Sequence, residues 1–146
     1  MFDKLRNDIT KHFHSSPLAR QRAEFLAVDQ TTPIEKKAHF TAEVVGAAAA
    51  YEAFKAFERH EINKGQKPSH GRAKEVIVGV AGGYVVKLID EKGLPFTSDA
   101  NKKEFQARAQ KNAIMDSKRA LRESGLYQGP ELEPLDLDEK SGQKIM

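Results

Sequence analysis

The sequence predicts an all-α protein, and three observations lead to that prediction. Apolar side chains recur at helical spacing, with offsets of 0, 4, 7, 11 and 14 that share one helix face: Phe40, Val44, Ala47, Tyr51 and Phe54. A second segment begins with the N-capping residue Ser69 and ends at the stop signal Gly93-Leu94-Pro95. A third helix is expected after the capping sequence Thr97-Ser98-Asp99.

Two short helices are predicted within the first 34 residues. The first is amphipathic, with four apolar residues at helical spacing: Phe2, Leu5, Ile9 and Phe13. The sequence Ser15-Ser16-Pro17 interrupts it, and residues 18–28 form the second helix. Pro33 follows two threonines, a pattern typical of a cap with proline in the first turn, so the long helix is expected over residues 33–63.

The segment 76–84 is ambiguous from its composition. Its β-branched residues favour a strand, and each glycine costs a helix roughly 1 kcal/mol relative to alanine. The capping signals at both ends favour a helix, which would form an antiparallel hairpin with the long helix. In that hairpin Ala49 and Ala50 lie opposite Gly83 and Gly82, and the small residues on both sides would let the backbones approach closely.

The third helix is expected to end near Glu123 and has few apolar residues. They form a thin seam with a period of seven residues: Ala100, Ala107, Ile114 and Leu121. Four further apolar residues lie upstream of the hairpin: Phe2, Phe13, Phe25 and Leu26. So thin a seam indicates a core that a second chain completes in part, and the sequence therefore predicts a homodimer.

Composition excludes several classes of protein. The 146 residues contain no cysteine, which excludes disulfide scaffolds, thiol nucleophiles and cysteine-ligated metal sites. The N-terminus lacks the long apolar stretch of a secretory signal, and the longest apolar run, residues 76–86, is about half of what a bilayer span needs. A cytoplasmic protein without a membrane span is therefore expected.

The distribution of charge divides the chain. The net charge is +3, yet residues 126–146 hold five acidic side chains against two lysines. We therefore predict an N-terminal amphipathic segment over residues 1–34, a helical domain over residues 35–125 and an acidic, disordered tail over residues 126–146. The cations of the third helix, residues 102–122, are an alternative surface for nucleic acid, although interspersed acids and the lack of an aromatic series favour a solvated face.

In a chain without cysteine, histidine and carboxylate side chains are the natural ligands of a divalent metal ion. His39 and Glu43 are one turn apart on the expected long helix, so both side chains could face one ion. A surface hydrogen bond between them is the favoured interpretation. His60 lies on a different side of the long helix from Glu58, so a metal site that includes both residues would need another chain or loop.

The second candidate pair is Glu58 and His70. Glu58 continues the apolar face of the long helix by one turn, and the hairpin brings His70 to the same end of the interface. Such a pair is a buried structural contact, an acid–base pair or half of a metal site, and the structural contact is favoured. The predicted catalytic residues are Glu58 and His70. The predicted metal ligands are His39, Glu43, Glu58, His60 and His70, and nothing in the pattern positions His12 or His14.

Several motifs resemble a known family, the fungal CipC-like antibiotic-response proteins (concanamycin-induced protein C). They are the run YEAFKAFERH at residues 51–60, the Glu-x-x-Gly-Ala-Ala sequence at 43–48, the turn GQKPSH at 65–70 and the segment 88–94 ending in Lys-Gly-Leu. The resemblance as a whole covers roughly residues 39–108. The order of the motifs makes the resemblance specific.

The resemblance implies a small, mostly helical, intracellular fungal protein that accumulates under antibiotic, stress or host-interaction conditions and whose biochemical activity is undefined. Eight polar positions match the family: Glu43, Glu52, Lys55, Glu58, His60, His70, Lys74 and Glu75. Relatives usually carry acids where this chain has Tyr84 and Val86, so an acidic metal cluster of relatives would be weakened here.

Two classes of function follow. In the first, the protein is a non-enzymatic stress-response factor that acts through oligomerisation or a partner surface. In the second, it is a metal-dependent phosphodiester hydrolase, in which Glu43, Glu58, His60 and His70 supply ligands or a general base and the basic helix holds the phosphates. The sequence contains no motif of hydrolytic spacing, which favours the first class and leaves enzymatic activity open.

Overall fold

The computed structural model describes residue 11, residues 18–64, residues 68–124 and residue 127. These parts of the chain contain no strand, which confirms the predicted all-α fold. The helices are α1 (Ala19–Leu26), α2 (Ile34–Lys37), α3 (Ala42–Lys64), α4 (His70–Lys92) and α5 (Asp99–Glu123). Apart from residue 11, the predicted first amphipathic helix lies outside the described residues, as does most of the predicted tail.

Helix α3 is central and packs against α1, α4 and α5. Residues 44–50 of α3 are buried around the whole circumference, and most of them are small: Val44, Val45, Gly46, Ala47, Ala48, Ala49 and Ala50. Short side chains are needed there because three other helices lie against the same helix. The larger side chains Phe54 and Phe57, 0% and 3% exposed, fill the core further along α3.

Helices α3 and α5 approach each other closely at Gly46. A Cβ atom added at Gly46 would lie 2.8 Å from the carbonyl oxygen of Ala109 and 2.8 Å from the Cβ of Asn112. The buried face of α5 is accordingly small and polar in part: Ala109, Ala113, Ser117, Ala120 and Leu121. The predicted seven-residue seam is therefore wrong at Ala100 and Ala107, which are exposed, whereas Ile114 is partly buried and Leu121 is buried.

The glycines of α4 do not have the packing role that the sequence suggested. Cβ atoms added at Gly79, Gly82 and Gly83 would meet nothing within 4 Å. The predicted close packing of Gly82 and Gly83 against Ala49 and Ala50 is therefore wrong. The α4 residues that face the core are mostly larger: His70, Ala73, Ile77, Ala81, Val85, Leu88 and Ile89.

The expected helix over residues 33–63 is two helices. After α2, the chain turns so that Phe40 packs edge-to-face on Phe25 of α1, with ring centroids 5.2 Å apart. The hydroxyl of Thr41 then accepts a hydrogen bond from the Val44 amide at 3.2 Å and caps α3. Phe25 is 0% exposed within the single chain, so its burial needs no second chain.

Both predicted ends of α4 are confirmed. The hydroxyl of Ser69 accepts a hydrogen bond from the Arg72 amide at 3.2 Å. Gly93 has a φ of 65°, and the Leu94 amide donates to the Ile89 carbonyl at 3.3 Å, which is the Schellman pattern. The side-chain amide of Gln30 donates to the carbonyls of Asp90 and Glu91 at 3.0 and 2.9 Å, so the loop after α1 also satisfies this helix end.

We expect Gly93→Ala to destabilise the protein by about 1–2 kcal/mol, the cost of a left-handed conformation for a residue with a Cβ atom. The new Cβ would also lie 2.6 Å from Oε1 of Gln30 and displace its side chain. Urea unfolding of Gly93→Ala, Gln30→Ala and the double variant measures both effects. If Gln30 contributes, the Gly93→Ala cost is smaller in the Gln30→Ala background; equal stability of wild type and Gly93→Ala would contradict the prediction.

Helix α5 begins as predicted, with the Ser98 hydroxyl accepting a hydrogen bond from the Asn101 amide at 3.1 Å. Beyond its end, Tyr127 is 3% exposed, and its hydroxyl donates to the carbonyl of Pro68 at 2.5 Å. The chain is thus fixed against the α3–α4 turn at a residue that the sequence assigned to the tail.

Candidate functional site

The predicted residue His70 lies inside the packed end of the bundle. It opens α4, is 1% exposed, and its ring packs edge-to-face on Tyr127 with centroids 5.3 Å apart. Tyr127 is held at this end of the bundle by the hydrogen bond from its hydroxyl to the Pro68 carbonyl. These contacts support a structural role for His70, because a ring enclosed by other side chains has little access to a substrate.

Glu58 and His60 lie on α3 in different surroundings. Glu58 is half-buried, whereas His60 is exposed and lines a narrow groove of about 40 Å³ beside Val76 and Val80 of α4. A groove of this size has room for a water molecule and not for a substrate. The hairpin therefore brings His60 towards α4 without enclosing a pocket around it.

His39 and Glu43 do not share a helix. Because α3 begins at Ala42, His39 lies in the linker before it, and the expected spacing of one helical turn is wrong. His39 lines a cleft beside α1 and α2. Glu43 lies 3.9 Å from Nη2 of Arg108, an exposed ion pair that joins α3 to α5.

The predicted metal ligands do not meet in one place among the residues that the structure describes. Within that part of the chain, no group of three or more histidine, aspartate or glutamate side chains could hold a metal ion. His12 and His14 lie outside the described residues.

The remaining family-like polar positions lie mainly on the surface. Lys55 is 3.7 Å from Glu52 on the same helix, and its ammonium lies 5.1 Å from the centre of the Tyr51 ring. Glu75 is 4.0 Å from Arg72, one turn earlier on α4. Exposed pairs of this kind contribute at most about 1 kcal/mol each, and they indicate solvated helix faces.

Cations of the basic helix α5 pair with acids of neighbouring helices. Nζ of Lys102 lies 3.1 Å from the Asp90 carboxylate of α4, and Arg108 pairs with Glu43 of α3. These contacts hold α5 against the hairpin and reduce the positive charge available to a polyanion. These ion pairs therefore favour the interpretation of α5 as a solvated helix face over its interpretation as a nucleic-acid-binding surface.

The sequence analysis missed a buried cation, Arg22 of α1. Its side chain is 5% exposed, and its guanidinium lies 4.4 Å above the centre of the Tyr51 ring. Burial lowers the pKa of Arg22 from its ordinary value, while Tyr51 and Asp116 act in the opposite direction. The signal in the sequence was the helical spacing of Leu18, Arg22 and Phe25 on one face. Arg22 joins α1 to the rest of the bundle.

A cleft lies between α1, α2 and the start of α3 and has a volume of about 500 Å³. Its floor is apolar, formed by Val28, Phe40 and Val44, and Lys36 and His39 lie along its rim. The cleft was not predicted from the sequence, because the linker that forms one wall was expected to be helical.

A second surface feature is the partly exposed side of α4, at whose edge Val76 and Val80 also pack against the core. We call it the α4 outer face, and it consists of Val76, Gly79, Val80, Gly83 and Val86. The two glycines are exposed and the three valines are partly exposed. Helix α4 is therefore apolar around most of its circumference, which is usual for a helix covered on all sides.

Among the described residues, no helix has the length and apolar character that a membrane crossing requires. The fold and these surfaces define a small all-α protein built around an alanine-rich central helix, with a cleft on one side and an apolar helix face on another. The chain belongs to the virulence factor CipC-like family, whose model matches residues 27–118. This confirms the resemblance found in the sequence. No curated protein and no solved structure matches the chain.

The family match begins just after α1 and ends within α5. Helices α2, α3 and α4 lie wholly inside it. Helix α1 precedes it, although Phe25 of α1 belongs to the same hydrophobic core.

Proposed function

We propose that the protein is a cytoplasmic stress- and antibiotic-response factor that acts without catalysis, as a homodimer joined through the α4 outer face. Membership of the CipC-like family supports the stress-response role. The proposed dimerisation is supported by one observation, the α4 outer face. It is apolar, and within the described chain its glycines have open space where other residues would carry side chains.

The glycines suit a helix-to-helix contact. Gly79 and Gly83 are four residues apart, so they lie on one side of α4 and leave its backbone accessible. Two helices with such a stripe pack at a short distance, as they do in Gly-x-x-x-Gly pairs. In a monomer the same glycines only weaken the helix, by about 1 kcal/mol each relative to alanine.

The charges at the two ends of the face favour a second copy as the partner. In an antiparallel pair related by a two-fold axis at the level of Ala81, Gly79 of one chain faces Gly83 of the other. The same axis brings Arg72, at the start of α4, opposite Asp90 near the end of the partner's α4. Both side chains are exposed, so they can pair at each end of the interface in addition to their contacts within one chain, Asp90 with Lys102 at 3.1 Å and Arg72 with Glu75 at 4.0 Å.

Sedimentation velocity over a hundredfold range of concentration tests the dimer. We expect the wild type to dimerise and the variant Gly79→Glu/Gly83→Glu to be monomeric, because each chain would place two carboxylates at the centre of the contact. The monomer fold should be retained, since glutamate is a better helix former than glycine and neither Cβ meets a neighbour within 4 Å.

The matched control is Ala100→Glu/Ala107→Glu, which adds the same two negative charges at exposed positions of α5. We expect this variant to remain dimeric, with an unchanged circular dichroism spectrum. A wild type that stays monomeric at every concentration contradicts the proposal. So does a double variant that dimerises as the wild type does.

The non-catalytic mode of action also predicts how the protein responds to metal ions. We expect no change in the melting temperature of chelator-stripped protein on addition of zinc, manganese, magnesium or calcium. A bound ion at about 100 times its Kd would add about 2.7 kcal/mol, a shift of several degrees. A shift that is lost in both Glu58→Ala and His70→Ala would contradict this expectation and support the metal-dependent phosphodiesterase.

A further inference from the structure

We infer that the cleft between α1, α2 and the start of α3 is a binding site for a small apolar monocarboxylic acid. Its volume of about 500 Å³ falls within the range of small-molecule sites, about 300–1,000 Å³. The inference depends on the composition of the cleft and not on dimerisation through α4.

The floor of the cleft is apolar and is held in place by the core. Val28 and Val44 are 7% and 2% exposed. Phe40 lies between the cleft and Phe25, on which its ring packs edge-to-face. Because buried side chains of two elements support this floor, it is preformed, and the apolar body of a ligand would be removed from water against it.

Two polar side chains at the rim are available to a ligand. Lys36 of α2 and His39 of the following linker are exposed, and within the described chain the side chain of neither forms an ion pair or a hydrogen bond. Lysine offers a positive charge, and histidine offers an N–H donor in either protonation state. A carboxylate can accept from both groups at once.

The other polar groups of the cleft favour a ligand with a single charge. The hydroxyl of Thr32 accepts a hydrogen bond from the Asp29 amide at 3.1 Å, and that of Thr41 caps α3. Glu24, on the α1 side, is paired with Arg20 at 3.3 Å. A second negative charge on the ligand would meet the Glu24 carboxylate, which disfavours diacids and phosphates.

The test uses three probes of one chain length: octanoate, 1-octanol and octylammonium. Each is titrated into the full-length ¹⁵N-labelled protein below its micelle-forming concentration, and amide shifts are followed by NMR. We expect saturable shifts at Val28, Phe40 and Val44. The Kd for octanoate should be about fivefold lower than that for octanol, the upper range for an exposed ion pair, and octylammonium should bind more weakly than octanol.

The variant Lys36→Gln/His39→Ala separates recognition of the carboxylate from nonspecific apolar binding. Both positions are exposed, so the fold should be retained. We expect the double variant to bind octanoate and octanol equally, with the Kd for octanol unchanged. Shifts that map to the α4 outer face instead would overturn the inference, as would equal binding of the three probes by the wild type or an unchanged octanoate preference in the variant.

Discussion

Replacing Phe25 by alanine should lower the free energy of unfolding by about 3–5 kcal/mol, the usual cost of truncating a fully buried phenylalanine. The side chain is 0% exposed, packs on Phe40 and belongs to the main hydrophobic core, although α1 precedes the segment matched by the family model. Urea denaturation followed by circular dichroism at 222 nm gives the change directly.

Ile34→Ala is the matched control for Phe25→Ala. Ile34 is 62% exposed on α2, so its truncation should change the free energy of unfolding by no more than about 0.5 kcal/mol. Both variants should be measured at two protein concentrations. Two results would show that another chain completes the core around Phe25, as the thin apolar seam of the sequence suggested. One is a Phe25→Ala loss below 1 kcal/mol, and the other is a loss seen only at the higher protein concentration.

Gly46→Ala should destabilise the protein by about 1–3 kcal/mol, the range for overpacking a well-packed core. The added Cβ would meet the Ala109 carbonyl oxygen and the Asn112 Cβ at 2.8 Å and the Ala113 nitrogen at 3.0 Å. Two of these three atoms belong to the backbone of α5, so rotation of a side chain cannot relieve the contact. Helices α3 and α5 would have to move apart.

Gly82→Ala makes the same chemical change in α4 and should have the opposite sign. Nothing lies within 4 Å of its added Cβ, so alanine should stabilise the helix by about 0.5–1 kcal/mol. The two melting temperatures should therefore move in opposite directions from the wild type, by about 2–4 °C for each kcal/mol. Changes of the same sign would mean that the helices pack differently from the arrangement described.

The comparison of the two glycines also shows where sequence reasoning reached its limit. The sequence shows that Gly46 and Gly82 lie in helices, and both are next to alanine or glycine. Only one of them touches another backbone. The difference depends on the rotation of each helix about its axis, and small residues specify that rotation poorly because they give no strong amphipathic signal.

The residues of the candidate site likewise divide into those that the sequence identified and those that only the structure revealed. His70 was identified from its position in the α4 pattern, and the structure places it in the core beside Tyr127. The cleft that holds His39 was not identified, because the linker before α3 followed a helical pattern in the sequence. Arg22 was also missed, since a charged residue on an apolar face is recognised as buried only when its partner, here the ring of Tyr51, is known.

The sequence by itself determined the all-α class, the family, and the ends of α4 and the start of α5, because Ser69, Gly93 and Ser98 act on the backbone within a few residues of themselves. Only the tertiary structure decided the close contact of α3 with α5, the exposure of the α4 glycines and the cleft beside α1. Those features depend on contacts between residues distant in sequence, and an alanine-rich core of this kind permits more than one helix rotation until the neighbouring helices are in place.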